Sequence, residues 1–518
     1  MYDLVIKNGT VIDGTGEREA FKADVGVKNG KIAVVGDLGR TRAERIIDAT
    51  GHVVSPGFID VQNHSDSYGA LFAESTLESM IHQGITTILV GQCGSSLAPL
   101  LKGSLASIQK WSDVAGVNVS WLSVSEFLRE MRRRGLGVNL ATLVGHATLR
   151  RDFAGDEVRA LTAKESRQIE ALLKRSLKEG AWGLSVGFEY SHDRVSDEQE
   201  LIELLKLTAS GGGVASFHLR DESREIAGAL NEVLFLVSNA PGIKAKIAHF
   251  KIRNETNSAL AQEVLATLEK GLYADVYPYT VSAMVLYLLL PPWATDGGRK
   301  ALIERLKNKN LRQEIAQIMR SENYSYDKIT VAMGALDRTF IGRTVAELAK
   351  NQSVSPEEII FDLILASEDR VVVFFENLAE PIVEMFLAHP RTMIATDGSG
   401  WRTVDAAHRG LDHPRSFGTT ARVLGRYVRE KNVLTLEAAI HKMSGLPAAF
   451  LGIKDRGSIK EGTTADIVVF NPDTVGDLTS FERPYRHPAG IPYVIVNGEV
   501  AVDEASSNGL KAGRVLVR

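Results

Sequence analysis

The chain has 518 residues, 44% of them hydrophobic, and a formal net charge of −4. That is enough apolar material for a large core spread over two or three domains. The near-neutral balance gives no reason to expect nucleic acid or an anionic membrane as a partner. The longest apolar stretch, residues 284–290 before Pro291-Pro292, is too short to span a bilayer.

Taken in chain order, Met1-Tyr2-Asp3-Leu4-Val5-Ile6-Lys7 reads directly as a strand, with no basic region and apolar segment of a leader, so a cytoplasmic setting is expected. Further short strands are predicted over residues 10–12, 24–28, 31–35 and 45–48. Asn8-Gly9 and Asn29-Gly30 supply the hairpin turns. The far end repeats this style in Ile467-Val468-Val469-Phe470 and Tyr493-Val494-Ile495-Val496-Asn497-Gly498. Neither end alone has enough strands to be stable, so residues 1–55 and 450–518 are expected to form one small β-sandwich domain.

From Pro56 onward, apolar strands alternate with amphipathic helices, as in a parallel α/β fold. Eight strand ends stand out, at residues 59–64, 87–93, 138–146, 183–190, 214–218, 246–251, 273–279 and 392–397. Eight such units predict a closed (β/α)8 barrel over residues 56–449. Residues 284–387 between the last two strands are too long for a simple connection. They carry charged helices and strand-like runs at 329–333 and 371–375, which predicts an inserted, lid-like subdomain.

A barrel of this kind gathers the carboxyl ends of its strands at one mouth. The sequence places His64, Cys93, His146, Tyr190, His218, His249 with Lys251, Tyr277 with Tyr279, and Asp397 there. Cys93 is the only cysteine, so it forms no internal disulfide. Thiolate and imidazole from distant strands form a set that binds zinc, which brings the pKa of a bound water to about 7. A neighbouring carboxylate such as Asp397 can then exchange the proton. Singly, each residue has a plainer reading: a buried thiol as a small apolar group, an interior histidine, an aspartate that starts a turn, core tyrosines anchored by their hydroxyls. Their recurrence at matching strand ends favours the shared site. His52, His82, His192, His389, His408, His441 and His487 are expected on the surface or in loops.

The chain resembles the N-acyl-D-amino-acid deacylase (D-aminoacylase) family of the amidohydrolase superfamily. The resemblance runs through Pro56-Gly57-Phe58-Ile59-Asp60, Gly91-Gln92-Cys93-Gly94, His218-Leu219-Arg220-Asp221-Glu222 and His249-Phe250-Lys251. It continues in Asp275-Val276-Tyr277-Pro278-Tyr279, Asp397-Gly398 and His413-Pro414-Arg415-Ser416-Phe417-Gly418-Thr419. It implies zinc-dependent hydrolysis of a small N-acyl-D-amino acid. Cys93, His218 and His249 would hold the tight zinc and Asp397 would be the catalytic acid and base. Lys251, Tyr277 and Arg415, with Tyr190 and Tyr279, would hold the substrate and its developing oxyanion; the Arg fork suits a carboxylate.

One departure bears on metal content. Where the superfamily has His-x-His, this chain reads Gln62-Asn63-His64. Glutamine is a poor zinc ligand, which predicts one firmly held zinc, with His64 and Asp397 at most a weak second position. Three competing readings remain. Gly183-Leu184-Ser185-Val186-Gly187 matches a serine-hydrolase elbow. A cyclic-amide hydrolase would use similar zinc chemistry, with a carboxylated lysine where this chain has Cys93. A non-catalytic binding protein of the same fold would have lost the metal. Side-chain preference and oligomeric state are not legible.

Overall fold

The computed structural model describes the chain except residues 103–104, 106, 110, 112–116, 255, 335–336, 368–369 and 407–409, and the side chains of 405–406. His408 therefore lies outside the described residues. The eight expected barrel strands are Phe58–Asp60, Ile85–Val90, a third in two parts (Asn139–Thr142 and Val144–Gly145), Gly183–Gly187, Val214–His218, Lys244–Ile247, Leu272–Val276 and Thr392–Ile394. All neighbours pair in parallel and in sequence order. The eighth strand closes on the first through the parallel bridge Asn63↔Gly398 and the bonds Asp397 N to Gln62 O and His64 N to Gly398 O. Closure thus runs through the residues that carry the candidate site.

Both faces of this sheet are covered, so its strands read as almost unbroken apolar runs, such as the fully buried Ile85–Val90. Amphipathic helices form the outer ring. Ala163–Lys178 begins at a Thr162/Glu165 capping box and buries Ile169, Leu172, Leu173 and Ser176. No helix among the described residues is long and apolar enough to cross a membrane.

Strands from the two chain ends meet, and nine of them are hydrogen-bonded into one continuous sheet. Val53–Pro56 bonds on one side to Tyr2–Val11 and on the other to Ile467–Phe470, which leaves no break between the halves. Alternation along Ile467–Phe470 serves two cores. Ile467 and Val469 pack with Leu4, Ile6 and Val25, while Val468 and Phe470 join the barrel core. The chain then returns to the barrel: Leu140 N donates to Arg514 O at 2.9 Å and Leu516 N to Leu140 O at 2.8 Å. These last residues belong to the barrel rather than to the small domain.

The insertion is present, with shifted limits. Val281–Val285, Val372–Glu376 and Ile329–Met333 form a three-stranded antiparallel sheet in that order. Its own core includes Leu302, Ile315, Met319, Ile360 and Phe361. The insertion begins at Val281, ahead of residue 284, and the helix Glu380–Ala388 already packs on the barrel.

Candidate metal centre

Three residues at the barrel mouth have left-handed backbones: Cys93 (φ 52°), His249 (φ 35°) and Asp397 (φ 49°). Such a conformation costs a non-glycine residue on the order of 1–3 kcal/mol and persists only where the surroundings enforce it. Around Cys93, Ser185 Oγ donates to Gly91 O at 2.6 Å and accepts from Gly94 N at 3.1 Å. A Cβ on Gly94 would stand 2.0 Å from Asp193 Oδ2, so only glycine fits there. Ser185 is therefore a buried brace within a barrel strand, which removes the serine-hydrolase reading. His249 N donates to Asp275 Oδ1 at 2.8 Å, and Asp397 N to Gln62 O at 2.9 Å.

These turns bring the three proposed ligands together. Ligand atoms of Cys93, His218 and His249 all lie within 4.8 Å of one another, and all three residues are buried. Cys93 Sγ is 3.4 Å from His249 Nε2, and the His218 and His249 rings meet edge-on at 4.5 Å. His218 Nε2 lies 2.8 Å from Glu189 Oε2, whereas its buried Nδ1 has no hydrogen-bond partner among the described residues. An imidazole that gives its N–H to Glu189 keeps a lone pair on Nδ1. His249 Nδ1 meets both Lys251 Nζ at 2.8 Å and Glu222 Oε1, and its Nε2 faces Cys93. One soft thiolate and two imidazoles are a donor set that fits zinc. Burial opposes the thiolate, yet His249, His218 and His64 hold Cys93 well below the usual thiol range.

A ring of paired charges surrounds this set. Glu222 Oε1 lies 3.0 Å from His249 Nδ1 and accepts from Lys251 Nζ at 2.7 Å. Arg253 reaches Glu189 at 2.6 Å and Glu222 at 3.8 Å. Burial raises the Glu189 pKa, but Arg253 and His218 outweigh it and bring the carboxyl down to about 2. Burial likewise opposes ionisation of Glu222, and Lys251, His249 and His218 hold it well below the carboxylate range.

Asp397 stands between cations. Its Oδ1 is 3.1 Å from His64 Nε2 and its Oδ2 is 2.7 Å from Arg415 Nη1. Despite burial, Arg415, His249 and His64 keep its pKa well below normal. Burial lowers the His64 pKa, but Asp397 and Cys93 raise it to about 10. The Arg415 contact is close but poorly aligned for a hydrogen bond, so its fork retains donors for a ligand. His413 Nδ1 accepts from Arg415 N at 3.1 Å, at the start of the helix Arg415–Arg422. The Tyr277 ring lies 4.9 Å from the Arg415 guanidinium carbon, and its buried hydroxyl has no hydrogen-bond partner among the described residues. Burial chiefly pushes the Tyr277 pKa up, so it remains an O–H donor.

A cleft opens onto His64, Cys93, Tyr190, His218, His249, Lys251, Tyr277, Asp397 and Arg415. Two expected site residues lie elsewhere. Tyr279 does not line the cleft; its hydroxyl donates to Asp477 Oδ2 at 3.0 Å. His146 opens the helix His146–Ala154 and contacts Asp193 at 2.9 Å and Glu200 at 2.7 Å. Among the histidines expected outside, His82 and His192 are buried. The sequence reading missed Glu189, Glu222, Arg253, Lys246 and Asp275. Each is a charged residue in or just past an apolar barrel strand, a signal that was available.

The amidohydrolase family model matches residues 45–222 and 399–502. A D-aminoacylase of Alcaligenes xylosoxydans xylosoxydans is 32% identical over 100% of this chain and 98% of its own length. A solved D-aminoacylase structure superposes with a TM-score of 0.83 at 32% identity, covering 100% of both chains. That protein has a binuclear metal centre, with one-metal activation and second-metal attenuation. An N-acyl-D-glutamate deacylase from Bordetella bronchiseptica, complexed with zinc and a phosphonate mimic of the tetrahedral intermediate, matches with a TM-score of 0.84 at 30% identity over 100% of both chains.

Proposed function

We propose, proceeding from a chain that belongs to the amidohydrolase family and within it to the D-aminoacylases, that it hydrolyses N-acyl-D-amino acids to a carboxylate and a free D-amino acid. The observation that carries this reading is one cleft that presents a thiolate, two imidazoles and the Asp397–Arg415 ion pair together.

Cys93, His218 and His249 would hold zinc, which supplies a Lewis acid for the scissile carbonyl and for water. The chain's own groups do the rest. Asp397, ionised beside Arg415, takes the proton of the attacking water and returns it to the departing nitrogen. The unpartnered Tyr277 hydroxyl donates to the carbonyl oxygen as charge develops there. Arg415 turns its remaining donors to the substrate α-carboxylate, and Lys251, anchored on Glu222, adds positive charge to the same cleft.

The cleft walls also bear on the substrate side chain. Tyr68, Trp111 and Tyr190 form a continuous aromatic wall, with ring centroids 5.5 and 6.4 Å apart. Met284 and Leu288 from the insertion face the same cleft. Arg253, a cation that would read an acidic side chain, is engaged by Glu189 and Glu222. An apolar D-side chain is therefore the better fit. The intact ligand set argues against a metal-free binding protein, and Cys93 in place of a carboxylated lysine argues against a cyclic-amide substrate.

The test is a panel of N-acetyl-D- and N-acetyl-L-amino acids, with free amine as the readout and chelator as the control. The expected result is fastest release from apolar D-substrates, loss with chelator and recovery with zinc. No release from any N-acyl-D-amino acid by the zinc-loaded protein would sink the proposal.

A further inference from the structure

The inference rests on the deacylase reading above. We infer that Gln62 and Lys246 hold shut the position beside the zinc ligands where Cys93, His64 and Asp397 could otherwise take a second cation, so that this chain is built for one metal.

Gln62 sits at the end of the first barrel strand and its amide has a defined orientation. Lys246 Nζ lies 2.8 Å from Gln62 Oε1. A lysine side chain only donates, so the oxygen must face Lys246 and the NH2 must face away. The amide nitrogen then points into a triangle of potential ligands. It lies 3.3 Å from Cys93 Sγ, 3.4 Å from His64 Nε2 and 3.5 Å from Asp397 Oδ1. A thiolate, an imidazole and a carboxylate around one point are a donor set for a divalent ion. An amide NH2 has no lone pair to offer such an ion; its hydrogens face Cys93 Sγ and Asp397 Oδ1, while His64 Nε2 is taken up by Asp397 at 3.1 Å.

The orientation is itself held by neighbours. Lys246 is fully buried in the strand Lys244–Ile247 and ion-pairs with Asp275 Oδ2. The other oxygen of Asp275 accepts the backbone N–H of His249 at 2.8 Å. The relay Asp275–Lys246–Gln62 thus ties the amide to the turn that carries a zinc ligand. It also places a fixed positive charge one amide away from the closed position, which disfavours a dication there. Gln62 alone would only weaken a second site; Lys246 makes the replacement two residues deep.

This sets the outcome of substitution. In Gln62→His the new ring would still face Lys246, which can only donate, so one ring nitrogen would accept from Nζ and the other would carry its hydrogen toward the triangle. The metal count should stay at one. In Gln62→His/Lys246→Met the ring is free to turn its lone pair inward, and a second zinc should bind. The measurement is zinc per chain after equilibrium dialysis against excess zinc, with anomalous diffraction at the zinc edge to locate each ion. The expected wild-type map has zinc at Cys93, His218 and His249 and none between Cys93, His64 and Asp397. The double variant should show both. Should that variant fail to fold, the wild-type map decides alone. A wild-type ion between Cys93, His64 and Asp397 overturns this inference and leaves the deacylase reading standing. A map with no zinc at the first position removes both.

Discussion

Glu189 Oε2 lies 2.8 Å from Nε2 of His218, across the ring from the buried Nδ1, which has no hydrogen-bond partner among the described residues. With zinc bound, this contact would select the tautomer in which Nδ1 offers its lone pair to the metal. Carboxylate partners of this kind typically contribute 10–100-fold to metal affinity. Glu189→Gln should therefore weaken zinc binding by about 10–100-fold. A competitive chelator titration measures it. Unchanged affinity would show that Glu189 only neutralises Arg253.

Asp397 has the geometry of the proton carrier: ionised, 2.7 Å from Arg415 and facing the cleft. Asp397→Asn should lower kcat by about 10²–10⁴, the usual span for general acid–base groups, while zinc stays bound through Cys93, His218 and His249. Near-normal turnover of the zinc-loaded variant would remove Asp397 from the mechanism.

Tyr277 presents a buried hydroxyl donor with no partner among the described residues. Its role is specific to the transition state, so Tyr277→Phe should reduce kcat by about 10²–10³ with little change in KM. A rise in KM at constant kcat would assign the hydroxyl to substrate binding.

Much of the site was legible in sequence because barrel strands end in register at one mouth. Cys93, His218, His249 and Asp397 all follow apolar runs, and polar groups there are conspicuous against a Val/Ile/Leu background. The misplacements come from residues just past a strand end. Leu272–Val276 stops before Tyr277-Pro278-Tyr279, so strand alternation no longer predicts where Tyr279 points. His146 follows Gly145, the last residue of its strand, and opens a helix, which turns its ring toward Asp193 and Glu200. The Glu189, Glu222 and Arg253 pairings connect loops from different strands, and no local pattern encodes which loop meets which. Lys246 could have been found. An inward lysine on a buried strand requires an acidic partner, and Asp275 lies on the neighbouring strand.

The helix Glu78–His82 contributes a pH-dependent term distant in role from catalysis. His82 is buried and stacks on His487 at 3.8 Å. Burial and then repulsion from His487, against attraction by Glu78, lower its pKa from 6.5 to about 4. The unfolded chain therefore binds more protons between pH 6.5 and pH 4, so stability falls as pH drops through that window and levels off below it. At pH 5 the loss from this group is about 2 kcal/mol. Thermal unfolding of wild type and His82→Phe at pH 7 and pH 5 checks this. The variant should lose less between the two conditions, and an equal loss would contradict the assignment.

The central claim is that one sulfur and two imidazole nitrogens of this chain bind the same zinc ion. Zinc-edge X-ray absorption of the singly loaded protein tests it most directly. The account expects one sulfur scatterer at about 2.3 Å with nitrogen or oxygen neighbours at about 2.0–2.1 Å, and the sulfur shell should vanish in Cys93→Ala. A spectrum with no sulfur neighbour in the wild type would contradict it.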